Sequence, residues 1–196
     1  MSLVLGALLS GCGNTTVTSE IDGTFRTACH AERRGAARAT QSAYQEMVFG
    51  NGSFAASVKY FSDTACATLS ATETVTSTFA TGDAVTAPAG AKKIDITLKS
   101  VSITLATAET AAEANASSSC GFTDWAVGQA KDVMGKPSSC SEAGAEVTAD
   151  EKLFTIYELT GTTLKLGNPG SAGSATDGTS DTKRPTALSS TVATKQ

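Results

Sequence analysis

Apolar and polar residues alternate along much of this chain, and the alternation predicts a fold rich in β-strands. In the clearest case, Ile94, Ile96 and Leu98 share one face of a strand, with polar residues between them. The next apolar residues, from Val101 onward, are again spaced by two but begin three positions beyond Leu98. One residue near Ser100 is therefore out of step, which predicts a β-bulge or a bend.

Turn-forming residues separate the strand-like segments at short intervals. Gly50-Asn51-Gly52 stands between two such segments, and glycine and asparagine adopt the positive φ of a tight hairpin without strain. Thr160-Gly161 separates a second pair in the same way. We therefore predict an all-β, mainly antiparallel domain of about eight to ten short strands, folded as a barrel or as a β-sandwich.

Two segments depart from this pattern. Residues 106–140 are predicted to form a helical insertion, with a short exposed helix in the Ala/Glu-rich part at 106–119. A better helix is predicted over 124–134, because Thr123 or Asp124 can cap its start and Gly135 can end it. Residues 167–181 are rich in Gly, Ser, Thr and Asp and predict a flexible loop.

A short apolar run opens the chain and ends at Leu9-Ser10-Gly11-Cys12. The run is too short to span a bilayer, which takes about 20 residues, but it fits the apolar core of an export leader. The tetrapeptide resembles the lipobox of bacterial lipoproteins, in which the cysteine is acylated after the leader is removed. The alternative is a buried N-terminal strand whose free Cys12 faces a core.

The lipobox resemblance implies an organisation and a location for the chain. Residues 1–11 would be a signal peptide whose basic start is missing, and residues 12–20 a tether lipidated at Cys12, for example with palmitate. Residues 21–196 would form a single β domain. Because Gly13 rather than aspartate follows the cysteine, the resemblance implies an outer-membrane lipoprotein of the bacterial cell envelope.

Composition narrows the classes of partner. The formal net charge is −4, whereas proteins that bind nucleic acids present a basic face, so we expect no nucleic-acid partner. Charged residues make up 17% of the chain, against about 25% in typical soluble domains. This low charge, with abundant Ala, Ser, Thr and Gly, is common in secreted β-rich proteins.

Four cysteines follow Cys12, and an even set in an exported chain predicts two disulfides. Three pairings are possible; we expect Cys29–Cys66 and Cys120–Cys140, because these close the shortest loops and the second brackets the predicted helix over 124–134. A metal site is the competing use of these cysteines. The chain has no C-x-x-C spacing and a single histidine, His30, so we expect neither a metal nor another cofactor.

A second resemblance concerns the domain itself. A hairpin-rich chain that follows a lipobox is similar to the lipocalin-like (calycin) lipoproteins, whose barrel opens with Gly-x-Trp on the first strand. Gly23-Thr24-Phe25 matches this motif with phenylalanine in place of tryptophan. The resemblance implies that a basic residue from Lys183-Arg184-Pro185-Thr186 packs across the ring of Phe25, and that the barrel is a cup for a small apolar ligand.

These observations favour a non-enzymatic binding module. We expect it to be attached to the membrane through its N-terminal lipid and to bind a small hydrophobic ligand. The alternative is a surface adhesin or envelope interaction protein, with a protein or glycan partner, a filled core and an exposed apolar patch at 120–140. A hydrolase is less favoured, because the only histidine lies in a charged segment. The predicted ligand cavity is lined by inward-facing apolar residues. These are Phe25, Val48, Phe54, Ile94, Ile96, Phe154 and Ile156.

Overall fold

The computed structural model describes residues 19–32, 41–137, 140 and 148–196. The predicted signal peptide, Cys12 and nearly all of the tether lie outside these residues. The described chain contains ten strands and one α-helix. They are β1 Gly23–Thr27, β2 His30–Ala31, β3 Ser42–Gly50, β4 Ser53–Phe61, β5 Leu69–Ala84, β6 Lys92–Leu105, α1 Ala108–Ala116, β7 Ala130–Asp132, β8 Lys152–Thr160, β9 Thr163–Leu166 and β10 Ala193–Lys195.

Eight of these strands form a closed antiparallel barrel. The order around the barrel is β1-β10-β9-β8-β6-β5-β4-β3, and β3 pairs with β1 to close the ring. The short strands β2 and β7 pair with β3 and β6 outside this ring. The all-β, antiparallel prediction is confirmed, and of the two architectures left open the chain adopts the barrel.

The two ends of the barrel differ in their connections. Tight turns at 51–52, 85–91 and 161–162 join strands at one end, which we call the hairpin end. Asn51, Gly52 and Gly161 have positive φ values of 52°, 74° and 61°, which confirms both predicted hairpins. The opposite end, which we call the loop end, carries the long connections at 62–68, 106–151 and 167–192.

The barrel interior near the hairpin end is filled by aromatic rings. The ring of Phe49 stacks on that of Phe54 at 4.6 Å between centroids, and it meets the edges of Phe79 at 5.3 Å and Phe25 at 6.1 Å. Phe25, Phe49 and Phe54 are at most 7% exposed. Offset-stacked and edge-to-face pairs are the preferred aromatic geometries, so this end is a packed core rather than a cup.

The predicted irregularity in β6 is confirmed. Thr76 of β5 pairs with Ser100, and the next residue, Ser77, pairs with Leu98, so Lys99 has no partner of its own. The extra residue shifts the phase of the alternation by one, as a bulge does. Apolar side chains on both sides of Lys99 therefore face the barrel interior.

The predicted helix over 124–134 is wrong, and the helix lies in the Ala/Glu-rich segment before it. There Thr107 caps α1 by accepting a hydrogen bond from the backbone N–H of Thr110 at 3.1 Å. Within this segment, Ala130–Asp132 form the strand β7 because they pair with the part of β6 that β8 does not reach. These hydrogen bonds pair backbone groups that would otherwise be left open at the edge of the sheet.

Three of the seven predicted cavity residues face outward. Val48 is 43% exposed on the outer face of β3. Phe154 and Ile156 pair with the outward-facing Asp95 and Lys93. The alternate residues of β8 face inward, so the prediction for this strand was out of register by one.

The disulfide prediction is confirmed, with Cys29 bonded to Cys66 and Cys120 to Cys140. The Cα atoms of the two pairs lie 6.1 Å and 5.0 Å apart, within the usual range for a disulfide. The first links the β1–β2 and β4–β5 connections, and the second lies within the 106–151 connection. Both disulfides therefore stabilise the loop end of the barrel.

A basic residue does pack against Phe25, but it is not one from 183–186. The ammonium group of Lys195 lies 5.7 Å from the centroid of the Phe25 ring and donates a hydrogen bond to the carbonyl of Asp22 at 2.8 Å. A Cβ on Gly23, whose φ is 136°, would lie 2.6 Å from Cε of Lys195. The glycine thus makes room for the lysine that crosses this end of the barrel.

Candidate functional site

Residues 106–137 and Cys140, the part of the 106–151 connection in contact with β6, fold over the loop end of the barrel and form a second core there. β7 pairs with β6, and the backbone N–H of Gly128 donates to the carbonyl of Leu105 at 2.9 Å. Trp125 and Val133, 4% and 2% exposed, pack with the inward-facing Val101, Ile103 and Leu105 of β6. The connection therefore serves as a cap on the barrel.

A cavity of about 220 Å³ lies between this cap and the barrel. Its apolar surface comes from β5, β6, α1 and Trp125, and its polar surface consists mainly of hydroxyl groups. The apolar lining residues are Ala71, Ile103, Leu105, Ala114 and Trp125. The polar lining residues are Ser62, Thr68, Ser70, Thr107, Glu109, Thr110, Glu113, Ser117 and Ser119.

Side-chain to backbone hydrogen bonds hold the walls of this cavity in place. Asn115 of α1 accepts from the backbone N–H of Trp125 at 2.6 Å and donates to its carbonyl at 3.0 Å. The indole Nε1 of Trp125 donates to the carbonyl of Ser119 at 3.1 Å. Thr110 donates to the carbonyl of Ser70 at 3.3 Å, which joins α1 to β5. The tryptophan ring is therefore fixed at the cavity wall before any ligand arrives.

The Cys120–Cys140 disulfide lies directly behind this wall. Cys120 follows Ser119, whose carbonyl fixes the indole of Trp125, and Cys140 is 3% exposed in the same apolar cluster. Beside it, the ammonium group of Lys131 lies 5.4 Å from the centroid of the Phe122 ring. The Lys131 ammonium also donates to Asp124 at 2.6 Å, and this hydrogen bond lowers the pKa of the Asp124 carboxyl. These contacts position the cap without entering the cavity lining.

The carboxylates of Glu109 and Glu113 stand on the cavity rim. They lie one helical turn apart on α1, and both residues are exposed. Within the described chain, neither carboxylate takes part in an ion pair. The rim therefore carries negative charge that no described side chain neutralises. It lies beside the apolar floor of the cavity, formed by Ala71, Ile103, Leu105, Ala114 and Trp125.

A second, smaller cavity of about 170 Å³ lies between β1, β3, β9 and the start of β10 with the residues just before it. Met47, Leu164 and Leu166 supply its apolar surface, and Thr27 and Gln45 its polar surface. Thr27 accepts a hydrogen bond from the backbone N–H of Gln45 at 2.8 Å. This cavity has no charged side chain among its described lining residues.

Among the described residues, Glu73 places a buried carboxylate in the barrel interior. Glu73 of β5 is 3% exposed and pairs in register with Val58 and Ile103, both on the inner face. The phenol of Tyr60 donates to the carboxylate at 3.2 Å. A buried carboxylate needs such hydrogen-bonding partners, so this part of the interior is polar, unlike the aromatic hairpin end.

The predicted cavity residues do not form the observed cavities. Phe25, Phe54, Ile94 and Ile96 belong to the packed core at the hairpin end, and Val48 lies outside the barrel. Neither cavity is lined by any of the seven predicted residues. Sequence reasoning missed the residues that do line the larger one. The alternation in β6 gave the orientation of Ile103 and Leu105, but nothing local showed that α1 and Trp125 would pack against them.

Phe154 and Ile156 are shielded by the 167–192 connection, which crosses the outer face of β8. The backbone N–H of Gly167 donates to the carbonyl of Ile156, and that of Phe154 donates to the carbonyl of Gly178, both at 2.8 Å. The guanidinium of Arg184 lies 5.3 Å from the centroid of the Phe154 ring. These residues are thus covered on a face that the sequence alone would leave open to solvent.

Arg184 fastens this connection to the barrel. Its guanidinium donates to the carbonyls of Ile94 at 3.1 Å and Thr155 at 2.7 Å, and it pairs with Asp95. A further hydrogen bond from Arg184 lowers the pKa of the Asp181 carboxyl. Arg184 therefore serves the outer face of the barrel and not Phe25.

Asp177 organises the same connection from within. Its side chain is only 4% exposed, and hydrogen bonds from the Thr179 hydroxyl and backbone N–H, with a smaller effect of Lys183, lower its pKa to about 2. The carboxylate is ionised at neutral pH and holds a tight turn, as aspartate does in Asx-turns.

Comparison with known proteins found no family model and no curated protein that matches this chain.

None of the described helices is long and apolar enough to cross a membrane.

Proposed function

We propose that this protein binds a small ligand with an apolar group in the cavity at the loop end of its barrel. The observation that carries the proposal is the pairing of an apolar floor with a polar rim around about 220 Å³ of space. Ligand sites are typically concave and mostly apolar, with a few polar groups that orient the ligand. The fixed indole of Trp125 means that this site is formed before binding.

The cavity size limits the ligand. Sites for drug-sized molecules measure about 300–1,000 Å³, and a cavity of about 150 Å³ accepts benzene. A cavity of about 220 Å³ therefore suits a single ring or a short alkyl group. A longer ligand would place only one end inside.

We further propose that the chain is exported and anchored in the bacterial envelope through lipidated Cys12. The two disulfides support this proposal, because disulfides persist in oxidising compartments. The N-terminal side of the domain is held at the hairpin end, where Glu20 accepts hydrogen bonds from Lys92 at 2.8 Å and Tyr157 at 2.7 Å. An anchor entering there directs the cavity away from the bilayer.

A fluorescence titration tests ligand binding. Trp125 is the only tryptophan of the chain and lines the cavity, so its emission reports occupancy. We expect small aryl and alkyl compounds to change this emission saturably. Replacing Ala71 in the cavity wall with leucine should weaken binding by about tenfold, the equivalent of about 1.4 kcal/mol.

The control variant is Ala80→Leu, which adds the same atoms to β5 on its exposed outer face. Thermal unfolding of both variants shows whether each is folded. Ligand binding that Ala71→Leu and Ala80→Leu weaken equally would contradict the assignment of the cavity, as would a folded wild-type protein that binds none of the compounds.

Mass spectrometry of the protein purified from a bacterial host with its full leader tests the anchor. We expect acyl groups on an N-terminal Cys12 and none on a Cys12→Ser variant. Recovery of the wild-type chain in the cell interior, with its sulfhydryl groups free, would contradict export and anchoring together.

A further inference from the structure

We propose that the cavity at the loop end selects amines: a small apolar group occupies its floor, and a protonated amino group lies at the rim between Glu109 and Glu113. This inference rests on the proposed function, because it specifies the chemistry of the ligand for the same cavity.

The charged side chains that line the cavity determine which ligand charge it attracts. Among the described residues that line the cavity, Glu109 and Glu113 are the charged ones, and no lysine, arginine or histidine is present. The remaining polar lining is made of serine and threonine hydroxyls, which accept or donate hydrogen bonds without charge. The electrostatic potential at the rim is therefore negative, which attracts a cation and opposes an anion.

The positions of the two glutamates on α1 allow both carboxylates to contact the same ligand group. Residues four positions apart on a helix lie on the same face, about 5–6 Å between Cβ atoms. Glu109 and Glu113 have this spacing, and the buried Ala114 follows them toward the apolar floor. An ammonium group can donate up to three hydrogen bonds and can therefore reach both carboxylates at once.

The two carboxylates can bind a ligand cation only if no cation of the protein already occupies them. Asp124 in the cap is already paired with Lys131 at 2.6 Å. Across the part of the chain that the structure describes, Glu109 and Glu113 have no such cation. Both carboxylates are thus available to a ligand without the loss of an existing ion pair.

The test compares three probes of nearly equal size that differ in charge: benzylamine, benzyl alcohol and benzoate. Each is titrated against the full-length protein, with Trp125 emission as the readout. We expect benzylamine to bind about three- to fivefold tighter than benzyl alcohol, the upper part of the range for exposed ion pairs, and benzoate to bind most weakly. Added salt should reduce the preference, because it screens exposed charges.

The double variant Glu109→Gln/Glu113→Gln should bring benzylamine and benzyl alcohol to equal affinity. Glu158→Gln is the matched control, since Glu158 lies on β8 near the hairpin end, and it should keep the preference of the wild-type protein. Equal affinity of the two probes for the wild-type protein, or a preference that survives in the double variant, would overturn the inference while leaving the cavity proposal intact. Failure of all three probes to bind would overturn both.

Discussion

Replacing Phe49 with alanine tests whether the hairpin end of the barrel is a packed core. Phe49 is 2% exposed, and its ring contacts those of Phe25, Phe54 and Phe79 within 6.1 Å between centroids. Removing a buried phenylalanine ring costs about 3–5 kcal/mol, because the apolar contacts are lost and a void remains. Whole domains are stable by about 5–15 kcal/mol, so this loss is a large fraction of the total free energy of unfolding.

The neighbouring residue supplies the control, because Val48 is 43% exposed on the outer face. Val48→Ala should change the free energy of unfolding by about 0.5 kcal/mol or less. Urea unfolding followed by circular dichroism gives both values. If Val48→Ala costs as much as Phe49→Ala, the register of β3 is reversed; if Phe49→Ala costs less than about 1 kcal/mol, the hairpin end is not packed as described.

Three further predictions concern the cap and the loops. Asn115→Ala should lower the free energy of unfolding by about 1–3 kcal/mol, because the backbone groups of Trp125 lose their partners, and a red shift of tryptophan emission should accompany it. A double serine variant of Cys120–Cys140, whose sequence separation is 20, should lose about 3 kcal/mol in chemical unfolding; an unchanged midpoint would contradict its role in the cap. The pKa of Asp177 is lowered to about 2 from 3.8, so its stabilising effect is present above pH about 4 and is lost as the pH falls toward 2. Asp177→Asn should therefore flatten the decline of Tm over that window, and a decline as steep as that of the wild-type protein would count against this assignment.

Local patterns in the sequence were sufficient for the barrel strands. The step between Leu98 and Val101 predicted a bulge or bend near Ser100, and the structure has the extra residue at Lys99, which keeps both apolar series on one face. The Gly50-Asn51-Gly52 turn predicted the β3–β4 hairpin, since its residues adopt positive φ readily. In each case the deciding interaction involves residues close in sequence.

Long-range packing explains two wrong predictions, the orientation of the side chains of β8 and the helix over 124–134. Phe154 and Ile156 are covered on the outer face by the 167–192 connection, so apolar character no longer distinguished the two faces of β8. In the 124–134 segment, Ala130–Asp132 became a strand because β6 has backbone groups there that β8 leaves unpaired. These outcomes depend on contacts between distant segments, which residue periodicity does not encode.

The candidate cavity could not be predicted from the sequence either, because it also depends on contacts between distant segments. Ile103 and Leu105 were recognisable as inward-facing, whereas the opposite wall comes from α1 and Trp125, which a different segment supplies. Sequence reasoning placed the cavity at the centre of the barrel, where the Phe49 cluster leaves a packed core. A cavity forms at the end of the barrel that holds fewer large side chains. Which end this is depends on the folded structure and cannot be derived from the residue pattern.

A two-dimensional NMR titration that follows the single indole N–H of Trp125 tests directly whether a ligand occupies the loop-end cavity. Because this chain has one tryptophan, the spectrum contains one such resonance, and it belongs to the wall of the loop-end cavity. We predict that benzylamine shifts the resonance saturably, together with backbone amides of α1. An indole resonance that stays fixed while amides at the hairpin end respond would place the binding site elsewhere and contradict the central claim.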